Sequence, residues 1–129
     1  MIDQSIYELL KANASVIALI GDHIYPGVVP SKIKNAAIRY VVSDNPSEFD
    51  SSGVEAKKKA SVQIDIFHKD YTSNRTLSQA VQAEFHGYKG VYGPINISFT
   101  EVLDSDLTFE SKTREYRTTI TLTVTFRET

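Results

Sequence analysis

Apolar residues recur along this chain with two different periods, and the switches between them mark out its elements. Near the N-terminus Ile6, Leu9 and Leu10 fall at i, i+3, i+4, and Val16, Ile17 and Ile20 continue that side. This spacing predicts amphipathic helix from Asp3 to Ile20, as one piece or as two short helices. Ser5 followed by Glu8 fits a capping box, and Asn13 is placed to break the helix and cap its continuation. Gly21 reads as the residue closing the last turn, since without a Cβ it takes the left-handed conformation. Pro26 then holds Tyr25 extended.

Past the turn chemistry of Gly27 and Pro30, with a loop expected over Gly27 to Asn35, the period changes to two. Ala37 to Ser43 is predicted as a strand with Ile38, Tyr40 and Val42 toward a core and Arg39 away from it. Asp44 to Lys59 has too few apolar residues to fold alone and is expected to be a long mobile hairpin loop. Ala60 to Phe67 alternates strictly, Val62, Ile64 and Ile66 on one face and Ser61, Gln63 and Asp65 on the other. Tyr71 to His86 is predicted helix, capped near Thr72 or Ser73, with Leu77, Ala80, Val81 and Phe85 on its apolar side and Gly87 and Gly90 ending it. Val91 to Val102 is a strand region broken at Gly93-Pro94, and Asp104 to Thr113 reads as a polar connector holding Leu107 and Phe109. From Glu115 to Arg127 the alternation is cleanest, Tyr116, Thr118, Ile120, Leu122, Val124 and Phe126 opposing Arg117, Thr119, Thr121, Thr123, Thr125 and Arg127. At ~3.4 Å per residue such a strand spans about 40 Å. The expected architecture is α+β, a mostly antiparallel sheet with two helices packed on one face, in the order α-β-β-α-β-β. Residues 1–129 are read as one domain, with the mobile loop at about 44–59.

Composition narrows the function. A length of 129 residues with 41% hydrophobic and 23% charged residues is ordinary for a globular protein. Lys and Arg number 14 against 16 Asp and Glu, without the basic excess that binding a duplex by its phosphates needs. There is no cysteine, which excludes disulfides, thiolate metal sites and a cysteine nucleophile. No apolar run approaches the ~20 residues of a membrane helix. Asp3 and Glu8 sit where a secretory signal needs a basic and then an apolar stretch, so the chain is expected in the cytosol of the cell that makes it. The Asn-x-Ser/Thr triplets at Asn13, Asn74 and Asn96 are most simply chance.

The residue chemistry points away from catalysis. His23, His68 and His86 fall in different elements with no paired spacing. His68, Asp70 and Asp65 around a strand end have metal-ligand chemistry, but ligands so spaced usually meet water. Ser51-Ser52-Gly53 lacks a neighbouring base and a strand-to-helix elbow. Gly87-Tyr88-Lys89-Gly90 ends a helix, whereas phosphate cradles open one. Three features have both a structural and a functional reading. Lys57-Lys58-Lys59 is a solvated strand start that discourages edge aggregation, or a docking patch for an acidic surface or passing DNA. Phe49, an aromatic in a polar loop, tucks back on the body or waits for a partner. The threonine-rich face of the last strand is plain solvent-facing surface, or that long strand continues pairing beyond its own subunit.

Taken in order, these motifs resemble the phage tail-completion proteins, also called tail terminators or head–tail joining proteins. The resemblance is carried by Leu9-Leu10 and Val16 to Ile20, by Gly21-Asp22-His23-Ile24-Tyr25-Pro26, and by Ala37-Ile38-Arg39-Tyr40. It continues through Val62-Gln63-Ile64-Asp65-Ile66-Phe67, the helix with Tyr71, Arg75, Leu77, Ala80 and Val81, and the strand from Tyr116 to Phe126. At His23 the family more often carries Arg, and neutral imidazole is a poorer partner for a charge-assisted contact. The resemblance implies a non-enzymatic role with no cofactor and no metal: a ring, usually of six subunits, capping the head-proximal end of the tail tube. Its implied partners are other copies of itself, the tail tube protein and the head connector, with genomic DNA passing through unbound and no membrane. The implied location is the head–tail junction of a virion, of phage or prophage origin, with assembly in the host cytoplasm. Interface candidates are Asn45, Glu48, Phe49, Asp50, Lys57, Lys58 and Lys59. In the junction motif Gly21, Asp22 and His23 are scaffold, Ile24 and Tyr25 core, and Pro26 a rigid turn. A head-side connector or minor tail protein is the nearest alternative, and a small metal-dependent hydrolase a distant one.

Overall fold

Helix formation begins where the i, i+3, i+4 stripe begins. In the computed structural model, residues 2–21, 23–29, 36–45, 58–92, 95–112 and 114–128 are described. The N-terminal stripe forms two helices, α1 (Ile2–Ala12) and α2 (Ala14–Ile20). Asn13 divides them: its Oδ1 accepts the N–H groups of Ser15 (3.0 Å) and Val16 (3.3 Å), recapping the chain as the side-chain chemistry predicts. Ser5 is no cap. It is buried mid-helix, because α1 starts at Ile2, and Glu8 instead accepts from Gln4 Nε2. Gly21 does have a positive φ of 62°, but its ψ of −130° lies outside the left-handed helical well.

The strands that follow are β1 (Ile24–Pro26), β2 (Ala36–Asn45) and β3 (Lys58–His68). Then come α3 (Tyr71–Phe85), β4 (Gly90–Tyr92), β5 (Ile95–Glu110) and β6 (Glu115–Glu128). They form a six-stranded sheet in the order β1-β2-β3-β6-β5-β4. Four of the five pairings among the described residues are antiparallel; β1 runs parallel to β2, with Tyr25 opposite Arg39. The architecture is α+β as expected, but with three helices in place of two, a mixed sheet, and the order α-α-β-β-β-α-β-β-β. β1 is too short for an alternation signal, and it exists because the Ile38 N–H donates to the His23 carbonyl and the Gly27 N–H to that of Tyr40, both at 2.9 Å.

Ile38, Tyr40, Val62, Ile64, Ile66, Ile120, Leu122, Val124 and Phe126 belong to one side of the pleat and are buried together. They join Ile6, Leu9, Leu10, Val16, Leu77, Val81 and Phe85 of the helices in one core, so the helices cover that side. α3 is capped by Asp70, whose carboxylate accepts from the Ser73 N–H (2.9 Å) and hydroxyl (2.8 Å), rather than by Thr72 or Ser73. Buried Asn74 ties α3 to the sheet: its Nδ2 donates to the carbonyls of Ile66 and Tyr116, both at 3.0 Å, and its Oδ1 accepts from the Thr118 hydroxyl.

One expected irregular stretch is largely strand, and the expected loop over 44–59 is strand at its two ends, its residues 46–57 lying outside the described residues. Asp104–Glu110 is the second half of β5, held opposite Glu115–Thr121. Its polar residues mislead because this half is exposed on both faces except at Leu107 and Glu110, which are half-buried. Bulges after Ile97 and Val102 also break its alternation. Asp44 and Asn45 pair with Ala60 and Lys59, so strand structure covers both ends of the 44–59 segment. No helix among the described residues is long and apolar enough to cross a membrane.

Candidate functional site

The side of the sheet turned away from the helices carries the residues that are not spent on the core. One register row crosses five strands there: Tyr25, Arg39, Asp65, Thr119 and Asp106. Alternation alone assigns Asp65 to solvent, yet it is fully buried. Its Oδ2 accepts from Arg39 Nε (2.9 Å), from Arg39 Nη2 and from Gln63 Nε2 (3.1 Å). Its Oδ1 accepts from the Thr119 hydroxyl (2.8 Å) and from Arg117 Nε and Nη2, both at 3.2 Å. Arg117 also stacks 5.6 Å from the Phe67 ring centre and reaches toward Glu110 Oε1 at 3.8 Å. Burial pushes the Asp65 pKa up, but the bonds donated by Arg39, Thr119 and Gln63, with the Arg39 charge, outweigh it and hold the carboxyl below its ordinary value. Both arginines keep about a quarter of their side-chain surface in water, at 27% and 29%. The cluster is a structural clamp over β2, β3 and β6; nucleophilic or acid–base work needs a carboxylate less fully engaged.

Sequence cannot reveal this clamp, because Arg39, Asp65 and Arg117 meet only through strand register. The available signal was three charged residues each on the non-core parity of a predicted strand.

The predicted metal candidates separate. Asp65 belongs to the arginine clamp, Asp70 caps α3, and His68 Nδ1 accepts the Asp70 N–H at 2.9 Å. No group of three or more His, Asp or Glu suited to a metal occurs among the described residues. The Gly21–Pro26 motif forms the approach to β1. Ile24 is buried as expected, Tyr25 only half-buried beside His23 with ring centres 6.4 Å apart, and Pro26 ends β1. His23 Nδ1 lies 3.2 Å from the Ala36 carbonyl, a backbone contact in place of a charge pair. Asp22 lies outside the described residues.

Of the interface candidates, Asn45 closes β2 opposite Lys59, and Lys58 and Lys59 open β3 opposite Phe126 and Thr125. Glu48, Phe49, Asp50 and Lys57 lie outside the described residues. The threonine face of β6 is half-buried from Thr119 to Thr125. β6 itself is held by β3 on one margin and β5 on the other, so it has no free margin for pairing beyond its own subunit. Among the described residues, the long strand with a partly open margin is β5, bordered by β4 over Ile95–Ile97. Beside it a shallow groove of about 370 Å³ runs between α3 and the sheet, lined by polar groups of Arg75, Ser78, Gln79, Gln82 and Ser105.

A family model described as "Tail completion protein gp17" matches residues 4–127. Among solved structures, a chain of the virion of a native gene transfer agent (GTA) particle superposes with a TM-score of 0.75 at 17% identity, covering 94% of this chain and 90% of that one. At that identity the likeness is one of fold. No curated protein matches.

Proposed function

The chain belongs to the tail completion protein gp17 family, which makes it a structural protein of the phage tail rather than a member of an enzyme family, and from that premise we propose that it caps the head-proximal end of the tail tube. In this reading copies of the chain close a ring, usually of six, that stops tube polymerisation and offers the head connector its docking surface. Genomic DNA passes through the ring without specific binding. The protein resides at the head–tail junction of the virion after assembly in the host cytoplasm, and serves there as one folded domain. The observation that carries the reading is the family match across residues 4–127, nearly the whole fold. A fold shared with a chain of a gene transfer agent virion agrees with it.

The segment from Asn45 to Lys59, with Glu48, Phe49, Asp50 and Lys57 between the paired strand ends, is the proposed contact with tube or connector, and Phe49 its apolar anchor. Phe49→Ala is expected to leave the fold intact and weaken capping; unchanged phage assembly in that variant sinks the assignment. The whole reading is tested by electron microscopy of lysates lacking the gene. Overlong headless tails beside DNA-filled heads establish capping. Normal-length tails that fail to join heads move the protein to the connector side, and complete virions remove it from the pathway.

A further inference from the structure

The outer margin of β5 is covered in steps. β4 pairs with Ile95–Ile97. The turn after α3 serves the next stretch: the Gly87 N–H donates to the Thr100 carbonyl (2.8 Å), and the Val102 N–H to His86 Nδ1 (3.4 Å). Beyond the bulge after Val102, the Ser105 N–H turns onto the Asp104 carboxylate at 2.8 Å. Antiparallel alternation then directs the backbone N–H and C=O groups of Leu107 and Phe109 the same way, outward. Among the described residues no strand lies beside them. Leu103 and Phe109 are 55% and 49% exposed, and the Phe109 ring packs 5.0 Å from that of Tyr116, which in turn meets exposed Tyr71 at 5.4 Å.

The two flanks of this margin are chemically distinct. β5 carries Glu101, Asp104, Asp106 and Glu110 and no basic residue. Asp104 and Asp106 share the face away from the helices with Thr121 and Thr119, their register partners. On the helix side lies the groove lined by Arg75, Gln79, Gln82 and Ser105.

We propose that the Asp104–Glu110 margin of β5 is a strand-addition site for an extended segment of another protein with Lys or Arg at alternate positions and amide or other polar side chains between them. Main-chain bonds to Leu107 and Phe109 supply the ladder, the basic residues lie beside Asp104 and Asp106, and the polar ones enter the groove. A second copy of this chain does not match. Two β5 margins set acid against acid, which is unfavourable across a strand pair. The opposite end of the sheet is β1, three residues ending in Pro26, which has no N–H and whose carbonyl already accepts from Val28 at 2.9 Å. The inference goes beyond the capping reading and rests on β5 alone; a ring with this margin empty, or the margin occupied without a ring, are distinguishable results.

The test is a titration of the isotope-labelled chain with an acetylated, amidated decapeptide alternating Lys and Gln, followed by amide NMR and hydrogen exchange, with a Glu-Gln peptide as control. The Lys-Gln peptide is expected to shift and protect the amides of Ser105, Leu107 and Phe109. Paired Asp104→Lys and Asp106→Lys changes are expected to weaken it about tenfold while keeping the ladder to β6. Leu107→Pro removes an outward N–H and is expected to abolish binding. Its thermal unfolding is checked in parallel, and if it fails to fold the aspartate variant decides. No shift, shifts confined to other residues, or equal binding of the Glu-Gln peptide overturns the proposal. So does edge protection that rises with protein concentration in the absence of peptide, which makes a second copy the occupant.

Discussion

The two sides of this sheet solve the same problem with different chemistry. On the helix side, alternate residues of β2, β3 and β6 are Ile, Leu, Val, Tyr and Phe, and they meet three helices in one buried cluster. On the other side the same strands present Arg39, Gln63, Asp65, Arg117 and a run of threonines, and of these polar residues only Asp65 is fully buried. The first side is held by removal of apolar surface from water, which tolerates small shifts in position. The second is held at one point by charge-assisted hydrogen bonds, which demand that three strands keep their register. The apolar side therefore supplies most of the stability, and the Arg39–Asp65–Arg117 clamp supplies precision of strand alignment.

The comparison can be broken most severely from the apolar side. Phe85→Ala, at a fully buried position of α3, is expected to cost about 4 kcal/mol in urea unfolding, through lost burial and the cavity left behind. Asp65→Asn comes next, at about 2 kcal/mol by the same measurement. It falls short of a fully buried pair because Arg39 and Arg117 can turn part of their charge to solvent, with 27% and 29% of their side chains exposed. A neutral result there places the clamp's role outside stability altogether.

Acid sharpens the same contrast. The Asp65 carboxyl is held below its ordinary value in the folded protein, so the unfolded chain takes up its proton first as pH falls. The stabilisation is fully present above about pH 4, the unfolded value, and is lost as pH drops through the lower folded one. Urea midpoints should fall below pH 4 in the parent more steeply than in Asp65→Asn. Equal slopes in the two proteins contradict the assignment. The smallest effect belongs to the half-buried threonines: Thr123→Val is expected to change stability by less than about 0.5 kcal/mol in either direction. A larger loss there means that this side is packed against something in the assembled state of the sample.

The extent to which sequence sufficed differs from element to element. Its periodicities located α3, β2, β3 and β6 closely, because each spends one face on the core and repeats that choice every two or every three to four residues. Asn13 as a recapping residue was legible for a local reason, since its side chain bonds the N–H groups two and three positions on. The order of junction motif, strands and helix also carried the family resemblance that the match over residues 4–127 bears out. Tertiary structure decided the rest. β1 consists of three residues and owes its existence to β2. The second half of β5 is strand because β6 lies beside it, although its own residues alternate poorly across two bulges. Asp65 became the centre of the sheet's polar side only when register brought Arg39 and Arg117 to it. β6, which the sequence made the best candidate for pairing outside the subunit, lies between β3 and β5, and that possibility passed to β5. Local pattern determines which face of a segment is apolar, since that is a property of consecutive side chains. Which strands are neighbours, and so which polar groups meet and which margin stays open, depends on long-range pairing that consecutive residues do not encode.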